Sequence, residues 1–458
     1  MNAATAENLF SMSLSEAATA LHGELLGVDG RFSRVSTDSR SLQQGDLFIA
    51  IQGEHFDGHD FVTTAEHNGA VGAMVHRKVD TSLPLIQVTD TRKSLGTLGA
   101  VWRAHFSVPV IAVTGSNGKT TVKEMIAAIL QQVGEPLVTQ GNLNNDIGLP
   151  LTLLRLQPQH THAVLEMGAN HPGEIAYLVK LGQPDVALVN NAMPAHLEGF
   201  GSLEGVARAK GEIFSGLTQD GVAIINADDQ FADYWRGLCK HLQQLHFGLN
   251  EQADVRAVDI AATDAGSSFT LLTPGGDIAI TMALLGKHNI LNALAAAACC
   301  LAINIPLDAI QLGLASMKTV SGRLQVMTGK AGCKLIHDAY NANPASFRAA
   351  IDVLAQQQGK RILVMGDMGE LGQDVTTMHA QIGKYARAAG IDRLFTVGSE
   401  SRAATEAFGN GAQHFASDVD LSTALESELD ERACVLVKGS RTMRMERIVQ
   451  AIAAEEVA

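Results

Sequence analysis

The stretch Val113-Thr114-Gly115-Ser116-Asn117-Gly118-Lys119-Thr120-Thr121 sets small residues, a lysine and two threonines behind a β-branched run. Small residues let backbone N–H groups approach phosphate oxygens, and the helix that follows adds the positive end of its dipole. Lys119 has the length to reach β- and γ-phosphates, and the Thr120 hydroxyl is a Mg²⁺ ligand of the phosphate-loop kind. The strict motif has glycine five residues before Gly118. This chain has Val113 there and its glycine at 115, a shortened variant. A plain glycine-rich turn is the alternative reading, and the strand–loop–helix context favours the phosphate loop.

Other candidates follow along the chain. Glu166 closes the apolar run Val164-Leu165-Glu166, where a carboxylate can hold Mg²⁺ or simply face solvent. His196 lies in a loop past another apolar run, as a metal ligand, a phosphate partner or an ordinary loop histidine. Lys210 by itself reads as a helix-surface lysine. Asn289 and Asn292 stand at a helix start, able to hydrogen-bond a nucleobase, with simple capping by Asn289 as the alternative. Arg323 has a planar fork suited to phosphate, and Asp338 can accept from ribose hydroxyls. As isolated residues these two belong to turn chemistry, as does Asn341-Ala342-Asn343-Pro344.

These residues need elements to hold them. Apolar runs at 108–113, 162–166, 185–190 and 221–226 alternate with helical stretches, which implies βαβ units and a mostly parallel sheet. Ser268–Thr273 and Ile278–Met282 flank Pro274-Gly275-Gly276 and read as a hairpin. A second βαβ series begins near Lys318, with strands expected at 335–337, 361–365, 394–397 and 434–437. A smaller α/β unit precedes both; Ser13-x-x-Glu16 marks its first helix as a capping box. The expected fold is α/β in three domains: a small N-terminal domain over 1–87, a central parallel-sheet domain of the P-loop ATPase type over 88–317, and a C-terminal Rossmann-like domain over 318–458.

A length of 458 residues fits about three domains. Apolar residues make up 46% and charged residues 18%, which is globular composition. The formal net charge of −14 argues against a general binder of nucleic acid or anionic membranes, while a small site can still be locally positive. The five cysteines, 239, 299, 300, 333 and 434, show no Cys-x-x-Cys spacing and read as reduced, buried thiols of a cytoplasmic protein. Residues 1–10 lack a basic stretch followed by an apolar core, so no leader is expected. The most apolar stretch, 293–303, is too short to span a bilayer, so no membrane insertion is expected. Nothing in the sequence calls for an obligate oligomer, and a monomer is expected.

In this order, the motifs resemble the Mur ligase family, the ATP-dependent amide-forming enzymes of bacterial peptidoglycan precursor synthesis. The resemblance covers nearly the whole chain. Ser36-Thr37-Asp38-Ser39-Arg40, residues 56–61 (FDGHDF), residues 141–145 (GNLNN), residues 338–344 (DAYNANP), residues 366–372 (GDMGELG) and Lys438-Gly439-Ser440-Arg441 resemble the branch that adds D-alanyl-D-alanine. The branch that adds a diamino acid usually carries Asp-Asn-Pro-Arg, which this chain lacks.

The resemblance implies an ATP-dependent ligase that joins D-alanyl-D-alanine to a UDP-N-acetylmuramoyl tripeptide through an acyl phosphate. It implies ATP held by Gly115, Ser116, Asn117, Gly118, Lys119, Thr120, Thr121, Asn289, Asn292, Arg323 and Asp338. It implies two Mg²⁺ ions, one near Thr120 and Glu166 and one near His196 and a carbamylated Lys210, with Lys119, His196 and Lys210 as the catalytic set. Ser39 and Arg40 are implied for the UDP part, and Asn142, Asn144 and Asn145 for the muramoyl peptide. Asn341, Asn343 and Ser346 are expected to wall the dipeptide pocket. Another Mur-type ligase or a folylpolyglutamate-synthase-like enzyme is the alternative within the class; a nucleotide-dependent switch NTPase is the alternative outside it.

Overall fold

A computed structural model describes residues 9–194, 197–263, 266–369, 371 and 374–454. Nine strands form the central sheet. From one edge the order is Gly276–Met282, Gly266–Thr273, Val255–Thr263, Gln243–Gly248, Val222–Asn226, Val186–Val189, Val110–Thr114, His162–Glu166 and Pro136–Val138. The strands from Pro136–Val138 across to Val255–Thr263 run parallel, while the last two pairings are antiparallel. The expected hairpin is therefore present, as an edge added to a parallel sheet. Strands Gln243–Gly248 and Val255–Thr263 escaped the sequence reading, since their mixed polar and apolar content hides them.

Val110–Thr114 is buried at every position, as a parallel strand covered on both faces must be. It lies between Val186–Val189 and His162–Glu166, so three strands bring their carboxyl ends to one place. Ligands of open α/β sheets bind there, where the chain leaves each strand for a helix on alternate faces.

The C-terminal sheet has the order Gln325–Thr328, Lys334–Asp338, Ala433–Lys438, Lys360–Gly366, Arg393–Val397 and Ala412–Phe415. All its pairings are parallel except the first. Register pairs Asp338 with Lys438 at the carboxyl ends of adjacent strands. The first unit holds a five-stranded sheet in the order Glu24–Leu26, Leu85–Gln87, Gly72–Val75, Leu47–Ile49 and Val35–Ser36. Its first helix, Leu14–Ala20, carries the expected capping box of Ser13 and Glu16. Within residues 56–61, Gly58–Phe61 forms a 3₁₀ turn, with Asp57 accepting from the His59 N–H.

The first sheet does not close its core alone. One continuous apolar cluster runs from Met12 and Phe32 through Trp102 to Trp235 in the central unit. Trp102 is fully buried; its ring meets Phe10 edge-on at 4.7 Å and Phe32 at 5.9 Å, and its Nε1–H donates to Leu156 O at 2.9 Å. All five cysteines are free and buried, as expected. Among the described residues no helix is long and apolar enough to cross a membrane, and residues 293–303 belong largely to the buried helix Lys287–Ala302.

Replacing Trp102 by Ala removes a ring shared by two units. We expect about 3–5 kcal/mol lower unfolding free energy, read from the urea midpoint.

Candidate active site

The carboxyl ends of the central and C-terminal sheets face each other across a cavity of about 670 Å³. The phosphate loop, residues 115–118, forms its floor between Val110–Thr114 and the helix Lys119–Leu130. Gly118 has φ +80°, and a Cβ there would lie 2.4 Å from Asn292 Oδ1 and 2.5 Å from Asn190 Nδ2. Only glycine meets both conditions. Lys119 Nζ donates to Gly115 O at 2.8 Å. Its ammonium is held below its ordinary pKa by desolvation; Glu166 opposes that shift and Arg323 adds to it.

Thr120 joins the two sheets. Its hydroxyl donates to Glu166 Oε2 at 2.9 Å and accepts from Arg323 Nη2 at 3.0 Å. Glu166 is therefore no solvated edge residue: it is buried, and Asn144 Nδ2 donates to its other oxygen at 2.8 Å. Arg323 stacks on Tyr340, 4.3 Å from the ring centroid, and its Nε is buried without a partner among the described residues. A second bond spans the cleft at Asn343. Its Nδ2 donates to Asn117 Oδ1 at 2.7 Å, while its Oδ1 caps the helix Pro344–Ala355 by accepting from the Ser346 N–H at 2.9 Å.

Several expectations take a different form. Asn289 and Asn292 line the cavity, but their amides first serve each other: Asn292 Nδ2 donates to Asn289 Oδ1, and Asn289 Nδ2 donates to Leu285 O. Asn289 is not the cap residue; Gly286 holds that place. Asp338 lines the cavity with both oxygens already bound, one to Lys438 Nζ at 2.7 Å and one to the Leu324 N–H at 3.1 Å. It fixes the loop that carries Arg323. Asn341 and Ser346 line the cavity beside Asn343, and Ser346 is engaged in the cap.

Lys210 corrects the surface reading outright. It closes the helix Leu203–Gly211 and is 2% exposed, with Nζ 5.4 Å from the Phe200 ring centroid. Burial first, then the charge of Lys119, lowers its pKa to about 7, against the opposing pull of Glu174 and Glu212. Glu212 also accepts from the Gly173 and Ala176 N–H groups. His196 lies outside the described residues.

The remaining candidates stand away from the cavity. Ser39 is buried in the first unit, and Arg40 is exposed and paired with Asp38 at 2.8 Å. Asn142 sits in a turn, and Asn145 accepts from the Gly148 N–H at the start of the helix Gly148–Leu153. Of these three asparagines, Asn144 reaches the site. The sequence presents Lys438 only within Lys438-Gly439-Ser440-Arg441 and Asn190 only as the end of the apolar run 185–190. Strand register makes Lys438 the partner of Asp338, and Asn190 ties the phosphate loop to Asn292 at 3.0 Å. Their strand-end positions were the available signal.

Magnesium fits at Thr120 and Glu166. Their oxygens stand 2.9 Å apart, about the edge of a six-oxygen shell with 2.0–2.1 Å bonds. Two protein oxygens suit an ion that keeps water and phosphate as its other ligands. Among the described residues no group of three His, Cys, Asp or Glu side chains gathers as a metal site.

Fold and site thus define a phosphate-loop nucleotide-binding protein whose cleft is completed by a second α/β unit. Family models match in sequence: the Mur ligase family catalytic domain over residues 31–128, the Mur ligase middle domain over 113–300, and the Mur ligase glutamate ligase domain over 322–441. An Escherichia coli UDP-N-acetylmuramoyl-tripeptide–D-alanyl-D-alanine ligase is 48% identical, covering 97% of this chain and 99% of that protein. The crystal structure of MurF from Acinetobacter baumannii superposes with a TM-score of 0.92 at 38% identity, over 97% and 99% of the two chains. The Thermotoga maritima MurF ligase in complex with ADP gives 0.83 at 29% identity, over 91% and 96%. The chain belongs to the Mur ligase family.

Asn343→Asp keeps the capping oxygen, loses the donor to Asn117 and places a negative charge beside the phosphate loop. We expect the KM for ATP to rise roughly five- to tenfold, the range of one hydrogen bond. Thermal stability should stay near that of the parent, and an unchanged KM would remove the cross-cleft bond from nucleotide binding.

Proposed function

We propose that this chain joins D-alanyl-D-alanine to a UDP-N-acetylmuramoyl tripeptide at the cost of ATP, a step of peptidoglycan precursor synthesis. The observation that carries this reading is the chain Glu166–Thr120–Arg323, which puts a carboxylate, a hydroxyl and a guanidinium from two facing sheets at one phosphate loop. The full-length similarity to ligases of that name supports the choice of substrates.

The chemistry suits the cleft. A carboxylate is a poor acyl donor, so the tripeptide carboxylate attacks the γ-phosphorus of ATP and releases ADP. The amine of the dipeptide then adds to the acyl-phosphate carbonyl, loses a proton and expels phosphate. The first step brings two anions together, so positive charge must be in place before they meet. Lys119 and Arg323 supply it at fixed positions, and the loop N–H groups and helix N-terminus add to it. Magnesium bound at Thr120 and Glu166 would neutralise the β- and γ-oxygens.

In this reading residues 1–87 take the UDP part through Ser39 and Arg40, residues 88–317 bind ATP, and residues 318–458 complete the cleft. Asn142, Asn144 and Asn145 hold the muramoyl peptide, and Asn289 and Asn292 lie toward the base.

Lys210 serves as a carbamate. With a pKa of about 7, much of its amine is neutral near pH 7 and able to add to the carbon of CO₂, releasing one proton. The product is anionic, and with His196 it would hold a second Mg²⁺.

Two measurements test these readings. Phosphate release with ATP and Mg²⁺ should require both the UDP-tripeptide and D-alanyl-D-alanine; equal release without either would favour a nucleotide switch. Lys210→Ala should be nearly inactive and partly restored by short carboxylic acids. Carbamate formation by the parent, followed with ¹³C-labelled CO₂, should rise with pH through 6–8 as the amine loses its proton. A folded Lys210→Ala variant that no acid restores, with no labelled carbamate on the parent, would refute the modification.

A further inference from the structure

Four cations line the cavity: Lys119, Arg323, Lys438 and Arg441. Three are committed. Lys119 sits on the phosphate loop, Arg323 reaches Thr120, and Lys438 is buried between Asp338 Oδ2 at 2.7 Å and Asn341 O at 2.9 Å. Arg441 differs. Its side chain is 68% exposed, and its only carboxylate partner among the described residues is Glu446 at 3.4 Å. An ion pair that open to water contributes little and is readily exchanged.

The surroundings of Arg441 suit a small carboxylate. Ser440 and Thr442 flank it on the cavity wall, their hydroxyl oxygens 3.1 Å apart. The Ser440 N–H donates to Asp367 O at 2.8 Å, which fixes the backbone on which Arg441 stands. Tyr340 lies between this end of the cavity and the phosphate end. The Arg323 guanidinium is 4.3 Å from its ring centroid and that of Arg441 is 5.8 Å away. Both guanidiniums therefore lie against the same ring, so Arg441 is a near neighbour of the arginine that reaches the phosphate loop. Asn343 and Ser346, expected to wall the dipeptide pocket, are occupied by a helix cap and the bond to Asn117. Neither carries the charge a carboxylate requires.

We propose that Arg441, flanked by Ser440 and Thr442, binds the C-terminal carboxylate of the incoming dipeptide and sets the requirement for a free acid at that end. The planar fork of arginine matches a carboxylate with two parallel N–H donors. With the carboxylate held there, the dipeptide amine points back toward the phosphate loop, where the acyl phosphate forms. The inference rests on the ligase reading and deepens it.

The test compares D-alanyl-D-alanine with its C-terminal amide. The parent should prefer the acid in kcat/KM by about 30-fold or more, as for removal of a charge from a paired site. In Arg441→Ala the KM for the dipeptide should rise by a similar factor and the acid-to-amide ratio should fall toward one. Arg441→Lys should recover part of the ratio. Thr442→Val should lower it less, and it keeps the question open to test if Arg441→Ala does not fold. A merely structural role would change the KM for ATP as much as that for the dipeptide and leave the ratio intact. Arg441 variants that keep the parent's ratio overturn the assignment. A parent that releases no phosphate with D-alanyl-D-alanine overturns the ligase reading itself.

Discussion

The Thr120 hydroxyl donates to Glu166 from the central sheet's side of the cleft and accepts from Arg323 on the other side. The rest of the site is arranged around that single oxygen. Glu166 can aim at it because Val110–Thr114 and His162–Glu166 are adjacent parallel strands in fixed register. Arg323 can aim at it because Asp338 holds the next residue's N–H, and Lys438 in turn holds Asp338. A hydroxyl has one proton to give, so its direction toward the carboxylate leaves its lone pairs for a cation. A Mg²⁺ ion held by Thr120 and Glu166 would compete with the arginine for the same oxygen.

A protein with net charge −14 here gathers cations. Lys119, Lys210, Arg323, Lys438 and Arg441 all belong to the two facing units. Their mutual repulsion appears in the lowered pKa values of Lys119 and Lys210, each of which has a second cation among its causes. Such crowding costs stability, and it is tolerated because packing from several directions fixes the groups. Only Lys438 has a full internal partner. Lys119, Arg323 and Arg441 line the cavity, where anions brought by substrates can meet them, and affinity then comes from charges the empty protein holds at a cost.

Much of this was legible in the sequence because parallel strands are short β-branched runs and their carboxyl ends are where loops begin. That logic placed Gly118, Lys119 and Thr120 on a phosphate loop and Glu166 at a strand end, while Arg323 and Asp338 joined them only through the family resemblance. It could not tell that Lys210 is buried, since burial of a helix lysine depends on what packs over it. It assigned Asp338 to ribose, whereas register gives it Lys438. It treated Asn343 as a pocket wall, whereas the same amide both caps a helix and bonds across the cleft. Strand Val255–Thr263, which joins the expected hairpin to the parallel sheet, and the core shared by the first two units were equally hidden, because pairing between distant segments leaves no local pattern.

Asn343 also shows why the cleft is positive whatever the lysines do. Two twelve-residue helices, Lys119–Leu130 and Pro344–Ala355, begin at the same cavity, one at the phosphate loop and one at the Asn343 cap. Each N-terminus carries roughly half a unit of positive charge. Together with the guanidinium of Arg323 they give the phosphate end of the cavity a positive potential. Lys210 titrates near neutrality, at about 7. The helix ends and Arg323 contribute to the field at the phosphate loop whatever the state of Lys210. Lys119 is among the charges that lower the pKa of Lys210, which couples the two lysines. A negative charge at Lys210, which the proposed carbamate would supply, would in turn favour the charged form of Lys119.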